Sequence, residues 1–284
     1  MMAKRLLTIL PELSMEEAIE ITKIYSISGE LKKDGLILSR PFRMPHHTVP
    51  TNTIIGGGKI PKPGEISLAH YGILFFDELP EYNKKLLEAL REPLENKEIV
   101  INRLNGSYNF PCNCMFIASM NPCPCGNYGD EEKECKCTQL EINKYLRKIS
   151  GPLLDRIDIH IEVKRPKYKK IVTQVKSEKS LEIRNRVNKA RNIQKERYKK
   201  YNLYANAELT SKMINEFCKL DNKSQMILEK AFDKLKLSFR AYEKILKIAR
   251  TIADLEEKEK IEYKHIAEAI QYRSLDRKYD NRVL

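Results

Sequence analysis

Residues 73–76 read Ile-Leu-Phe-Phe, four bulky apolar positions with no polar alternation. Such a run predicts a strand buried on both faces of a parallel sheet. Residues 115–120, Met-Phe-Ile-Ala-Ser-Met, predict a second buried strand ending at Asn121. Residues 157–163 behave differently. There Ile157, Ile159, Ile161 and Val163 alternate with Asp158, His160 and Glu162, which predicts a third strand with one wet side. Residues 80–95 read as a helix with Leu86, Leu87, Leu90 and Leu94 on its apolar side. Residues 99–110 read as a hairpin turning at Asn105-Gly106.

Upstream, residues 1–10 read as a helix already under way, with no capping residue before it and Pro11 behind it. Ser14 and Glu17 make a capping box for the next helix, through about residue 26. A Gly- and Pro-rich region covers 40–66, and a short helix over 65–70 leads into the buried strand. The last eighty residues are helical, with caps at Thr210 and Ser238. After Ser238, the residues Ile245, Ile248, Ala249, Ile252 and Leu255 form a helical stripe. The pattern is therefore an α/β core over 1–163, a connector over 164–204 and a small helical domain over 205–284.

Charge changes the picture of the connector. The net charge is +13, and residues 164–204 carry fifteen Lys/Arg against three Glu. Within that segment Ile183, Val187, Ala190 and Ile193 recur at helical spacing. A helix with one apolar stripe and a basic remainder could lie on a nucleic-acid backbone, or could be a solvated linker helix. No apolar run reaches membrane-spanning length and the N-terminus shows no signal peptide, so a cytoplasmic protein is expected. The seven cysteines are an odd number, which fits reduced thiols or a metal site better than a disulfide framework.

Asp77 and Glu78 follow the first buried strand directly. Ligand sites of parallel sheets open at the carboxyl ends of the strands. Asp77 is placed to hold Mg2+ on a nucleotide and Glu78 to polarise a water, the chemistry of a Walker B element. A core strand ending in a solvated acidic turn fits the same six residues equally well. Asn121 ends the second strand, where it could orient a water or touch a terminal phosphate. Arg156 precedes the 157–163 segment and could stabilise charge on a transferring phosphoryl group. Arg240 opens a helix of the last domain, where it could reach a nucleotide between domains. Each is a common surface residue type; their order and spacing carry the argument.

Together these stretches resemble the Mg-chelatase-like AAA+ ATPases of the YifB/ComM type. The matching segments are Arg40-Pro-Phe-Arg-Met-Pro-His-His, Gly56-Gly-Gly, Pro63-Gly-Glu-Ile-Ser-Leu-Ala-His, Gly72-Ile-Leu-Phe-Phe-Asp-Glu, Asn121-Pro-Cys-Pro-Cys-Gly, Ser150-Gly-Pro-Leu-Leu-Asp-Arg-Ile-Asp and Ala249-Arg-Thr-Ile-Ala-Asp-Leu. The resemblance implies an AAA+ P-loop-type parallel sheet core followed by a small all-helical lid domain. It implies ATP and Mg2+ as cofactors, with Asp77 and Glu78 as Walker B and Asn121 as sensor 1. Arg156 becomes the arginine finger acting on a neighbour's nucleotide, and Arg240 becomes sensor 2. The 99–110 hairpin matches the pre-sensor insertion, which in related rings often faces the central pore. A homo-oligomeric ring, a hexamer, follows as an expectation, with ATP hydrolysis coupled to DNA remodelling such as branch migration.

The match has one departure: no Gly-x-x-x-x-Gly-Lys-Ser/Thr occurs in the chain. Gly56-Gly57-Gly58-Lys59 is followed by Ile60 and has the wrong spacing. In similar proteins that loop lies just before a helix like 1–10, so the reading is of a chain lacking the loop, the first strand and a preceding Lon-protease-like domain. Two alternatives therefore stay open, a non-catalytic fragment that cannot hold ATP and a magnesium-chelatase-type ATPase subunit. Finally, Cys123, Cys125, Cys135 and Cys137 form two Cys-x-Cys pairs nine residues apart. Four thiolates on a short loop could close a tetrahedral Zn2+ site, within a zinc-stabilised nucleic-acid module or beside the sensor; the bland reading is four reduced thiols. Cys112, Cys114 and Cys218 are expected in the core, and His46 and His47 in a loop or interface.

Overall fold

A computed structural model describes residues 2–31, 35–163 and 178–273. The chain divides into two compact units, Met1–Arg156 and Ile157–Leu284. The first is α/β and the second is helical, the architecture of an AAA+ core followed by a helical lid.

In the first unit, α1 (Met2–Leu6) runs into a 3-10 turn, Leu7–Ile9. Helix α2 (Met15–Ser28) opens on the expected capping box. The Ser14 hydroxyl accepts the Glu17 N–H at 3.2 Å, and the Glu17 carboxylate accepts the Ser14 N–H at 3.0 Å. Gly29, at φ 82°, ends the helix in the left-handed region that glycine enters without strain.

The sheet holds three parallel strands in the order β1 (Phe42–Arg43), β4 (Ile73–Phe76) and β7 (Met115–Ala118). Ile73, Leu74 and Phe76 are fully buried, as an unalternated apolar strand requires. The glycine-rich segment between β1 and β4 folds as a small antiparallel ribbon of β2 (Gly56–Gly57) and β3 (Lys62–Pro63), flanked by α3 (Thr51–Ile55) and α4 (Glu65–Leu68). A Cβ on Gly56 would stand 2.5 Å from the Lys62 carbonyl oxygen, and one on Gly64 2.3 Å from the Ile54 carbonyl oxygen. These glycines serve close backbone approach.

The helix expected over 80–95 is two, α5 (Lys84–Ala89) and α6 (Arg91–Asn96). Pro93 explains the break, because its ring clashes with the carbonyl four residues back, at Ala89. Leu86, Leu87 and Leu90 still enter the core. The hairpin forms from β5 (Glu98–Arg103) and β6 (Gly106–Pro111). Arg103 pairs with Gly106, so the loop is Leu104-Asn105, one residue earlier than expected. Inward-facing Ile99, Ile101 and Phe110 hold that register. Cys112 and Cys114 are core residues as expected, and burial pushes both thiols up to about 12. After the Cys-rich loop come α7 (Gln139–Leu146) and α8 (Gly151–Leu154).

Residues 157–163 form no strand, which corrects the expectation drawn from their alternation. The place beside β4 is taken by β1, and burial along 157–163 does not alternate, since Asp158 and Glu162 are exposed along with Ile159. Ile161 and Val163 are 66% and 73% exposed, while His160 is buried. The segment belongs to the second unit, where the His160 N–H donates to the Tyr272 carbonyl at 2.8 Å and Arg273 donates to the Ile157 carbonyl.

The second unit packs α9 (Ser180–Tyr198), α10 (Ser211–Phe217), α11 (Asn222–Leu235) and α13 (Tyr263–Gln271) around α12 (Phe239–Leu255). Ser238 caps α12 through the Ala241 N–H, whereas Thr210 precedes α10 without a side-chain cap bond. Asp254, fully buried, accepts from Arg197 at 2.6 and 3.0 Å, Arg250 at 3.1 Å, Asn206 at 2.8 Å and Gln194 at 3.2 Å. This hub turns α9 so that Ala190, Gln194 and Tyr198 are its most buried positions, while Ile183, Val187 and Ile193 are half-buried. Cys218 packs in this core. Residues 164–177, part of the basic segment, lie outside the described residues. No helix among the described residues is long and apolar enough to cross a membrane.

His70 ties the entries of β4 and β7 together. Its Nδ1 accepts the Asn113 N–H at 3.0 Å, and its Nε2 lies 3.1 Å from the Glu20 carboxylate. That pattern needs a neutral ring with the proton on Nε2. Burial lowers the His70 pKa, outweighing Glu20 and Glu17, which act to raise it. The contribution is complete above the unfolded value of about 6.5 and is lost as pH falls through the lower folded value, because the unfolded chain then takes up a proton that the folded one refuses. Urea unfolding of the first unit between about pH 7.5 and 5.5 should show this loss, with a shallower pH slope in His70→Gln.

Candidate functional site

The site is built where β4 and β7 end side by side. Their register pairs Phe76 with Ala118, so the next residues of each strand emerge together. Ser119 then closes the edge. Its N–H donates to the Phe76 carbonyl at 2.9 Å, its carbonyl accepts the Leu79 N–H at 2.9 Å, and its hydroxyl donates to the Asp77 carboxylate. The same hydroxyl accepts the Glu78 N–H at 3.4 Å. Asp77 and Glu78 are both exposed. Glu78 sits at φ 54°, ψ 53°, a left-handed conformation that costs a non-glycine residue about 1 kcal/mol. The turn is held there by the Ser119 bonds and by the buried Leu79 and Pro80.

Asn121, also exposed, follows two residues after Ser119. The structure thus brings Asp77, Glu78 and Asn121 to adjacent strand ends. Two aromatic residues that sequence reasoning missed frame them. Tyr82 stacks on Phe76 with ring centroids 4.2 Å apart and donates to the Pro45 carbonyl at 2.6 Å. Burial, and then the charge of Asp77, pushes its phenol up to about 12. Tyr145, on α7, has its phenol raised by burial; a hydrogen bond from the Asn121 backbone opposes this, and the charges of Glu81, Glu78 and Cys123 add to it. His46 and His47 stack at 4.1 Å, with His47 edge-on to Tyr82 at 6.3 Å. They belong to the loop beside this edge.

Arg156 is placed elsewhere in the unit. It donates to the Arg91 carbonyl at 2.8 Å, to the Pro152 carbonyl at 2.7 Å and to the Glu95 carboxylate, and its side chain is 12% exposed. It lines a groove of about 500 Å³ with Glu88, Arg91, Glu92 and Glu95. Arg240 lies in the second unit, exposed at the second residue of α12.

The four clustered cysteines stand directly beyond Asn121. Cys123 is buried and Cys125 exposed, with Cys135 and Cys137 between. Cys123 lies 3.4 Å from Cys125 and 3.6 Å from Cys135, and Cys125 lies 3.6 Å from Cys135, Sγ to Sγ. All four sulfurs fall within 4.8 Å of one another. Hydrogen bonds from the Asn127 and Lys136 backbones, then the Cys123 side chain, bring the Cys125 thiol down to about 6.

These features define an α/β core of the magnesium-chelatase class, and comparison with known proteins agrees. Residues 1–171 match the family described as magnesium chelatase, subunit ChlI, and residues 177–273 match its C-terminal family. The chain belongs to this Mg-chelatase-like AAA+ family, alongside ComM and YifB. It is 46% identical over 279 residues to the competence protein ComM of Haemophilus influenzae, covering 98% of this chain and 53% of that protein. It is 41% identical over 278 residues to YifB of Escherichia coli, covering 98% of this chain and 54% of that one. YifB of Salmonella typhimurium is 42% identical over 279 residues, again covering 98% of this chain and 54% of the relative. The chain spans about half the length of these relatives.

Proposed function

We propose that the chain forms the metal- and water-binding part of an ATP-hydrolysing motor that remodels DNA. The observation that carries this reading is the Ser119 closure, which presents Asp77, Glu78 and Asn121 together at the carboxyl edge of a parallel sheet. Exposed carboxylate and amide oxygens suit a hard cation such as Mg2+. Asp77 holds the Mg2+ of a bound nucleotide, Glu78 orients the attacking water, and Asn121 reads the terminal phosphate. Magnesium supplies charge neutralisation at the transferring phosphoryl group.

The glycines at 56–58 take no part in phosphate binding in this reading, because Gly56 and Gly57 are committed to the β2–β3 ribbon and Gly58 follows it directly. Arg156 reaches a neighbour's nucleotide across a homo-oligomeric ring, a hexamer, after leaving Glu95. Arg240 serves the nucleotide of its own subunit. The ring reading rests on the family, whose members typically form oligomeric rings. The exposed hairpin tip at Leu104 suits contact with a client. The engagement of Arg156 inside its own chain favours a second reading, a subunit at rest that does not turn over nucleotide.

DNA as the client rests on the basic segment and on the name of the competence-protein relative. Several charges of the described part of that segment are engaged within the fold. Arg197 is committed to Asp254, Lys189 pairs with Glu257 at 2.9 Å, and Arg186 pairs with Glu178 at 2.6 Å. Lys195, Lys199 and Lys200 are exposed on the same stretch.

Glu78→Gln in the whole protein should lower ATP turnover about 100-fold or more while leaving nucleotide binding intact, measured by phosphate release and nucleotide titration. Unchanged turnover would overturn the assignment. DNA affinity should fall steeply with salt, and neutralising Lys195, Lys199 and Lys200 together should reduce the slope of log K against log salt by about 2–3. A salt-independent interaction would contradict the DNA reading.

A further inference from the structure

The Cys-rich loop is constructed around its four sulfurs. Cys123-Pro124-Cys125 turns back at Gly126, whose N–H donates to the Cys123 carbonyl at 3.0 Å with φ at 80°. Asp130 N–H donates to the Asn127 carbonyl at 3.1 Å, and the Asp130 carboxylate accepts the Glu132 and Lys133 N–H groups at 2.8 and 3.3 Å. These turns return the chain to Cys135-Lys136-Cys137. Thr138 then caps α7 in a reciprocal box with Glu141.

The sulfur spacing matches one arrangement. A disulfide would put two sulfurs about 2.05 Å apart. Four thiolates about 2.3 Å from a central Zn2+ sit at tetrahedral corners about 3.8 Å apart. The observed separations are 3.4, 3.6 and 3.6 Å, with the fourth sulfur inside 4.8 Å of the others. A two-iron cluster divides the four thiolates between two metals and a four-iron cluster gives each its own, so both spread the sulfurs further than a single ion does.

We propose that Cys123, Cys125, Cys135 and Cys137 bind one Zn2+ in a closed tetrahedral site, and that this knot positions Asn121 and Tyr145. The metal joins the end of the β7 segment to the start of α7. Asn121 lies two residues before the first ligand, and Tyr145 is buried on the helix that begins two residues after the last. A four-thiolate site leaves no open position, so the ion is structural and does not handle water. Only the significance of positioning Asn121 rests on the nucleotide reading above; zinc binding stands without it.

The test is the metal content of protein purified without chelator. About one zinc per chain is expected, falling to under about a tenth in Cys135→Ser and in Cys137→Ser, while Cys218→Ser in the helical unit keeps its zinc. Co2+ added to wild-type protein stripped of metal should give the visible bands and sulfur-to-cobalt charge transfer of a tetrahedral thiolate site. That spectrum decides the matter even where a serine variant fails to fold. Chelation should also lower the melting temperature of the wild type and increase proteolysis within 121–146. Protein that purifies metal-free and is unaffected by zinc, or that carries iron with a cluster spectrum, would overturn the proposal. None of these readouts uses nucleotide, so an inactive ATP site would leave them intact.

Discussion

The parallel pairing of Ile73–Phe76 with Met115–Ala118 is the constraint on which the site depends. Ile73, Leu74 and Phe76 are fully buried on both faces of the strand, so close packing on each side, rather than a wet and a dry face, holds the pairing. Because the register is fixed, Ser119 can only emerge opposite Asp77. One serine then satisfies three backbone groups and one carboxylate, and it keeps Glu78 in a conformation that a free turn would avoid. Packing in the sheet is thereby converted into the placement of two exposed carboxylates. Tyr82 extends the same logic, since its stack on Phe76 joins the core to the loop beside Asp77.

The helical unit is organised by a polar counterpart. Asp254 has no exposure and gathers donors from α9, α12 and Asn206. Arg250, buried beside it, also donates to the Glu259 carbonyl at 2.6 Å and to the Lys258 carbonyl, satisfying the backbone beyond the end of α12. A buried charge is tolerated only when its partners are complete, and removing one member of such a set typically costs about 3–5 kcal/mol. The arrangement fixes which face of the basic helix is structural. It also explains why the Arg and Asp of Ala249-Arg-Thr-Ile-Ala-Asp-Leu belong to the fold, while Arg240 on the same helix stays at the surface.

The elements most legible in the sequence were those with strong local signals. The unalternated strand at 73–76, the Ser14 and Glu17 capping box and the α12 stripe each express one period or one cap, and each formed. The 157–163 segment was misread because alternation reports two faces without saying which is wet. Here the buried position is His160, Ile159 and Ile161 are exposed and Ile157 is half-buried. Strand β1 is two residues long and carries no period to detect. The carboxylate pair was readable as the end of a buried run. Ser119 and Tyr145 were not, because their roles depend on strand register and on the return of a helix after the cysteine loop. Arg156 was singled out by its place in the sequence, but nothing local foretold that Glu95 and two carbonyls would hold it.

The central claim is that the Asp77 edge is a magnesium–nucleotide site. The most direct measurement is titration of the whole protein with a fluorescent ATP analogue, with and without Mg2+. Wild-type protein should bind in a Mg2+-dependent manner, Asp77→Ala should weaken binding about tenfold or more, and Ser119→Ala should fall between them, by about 1 kcal/mol. Binding that ignores Mg2+ and is unchanged in Asp77→Ala would contradict the account.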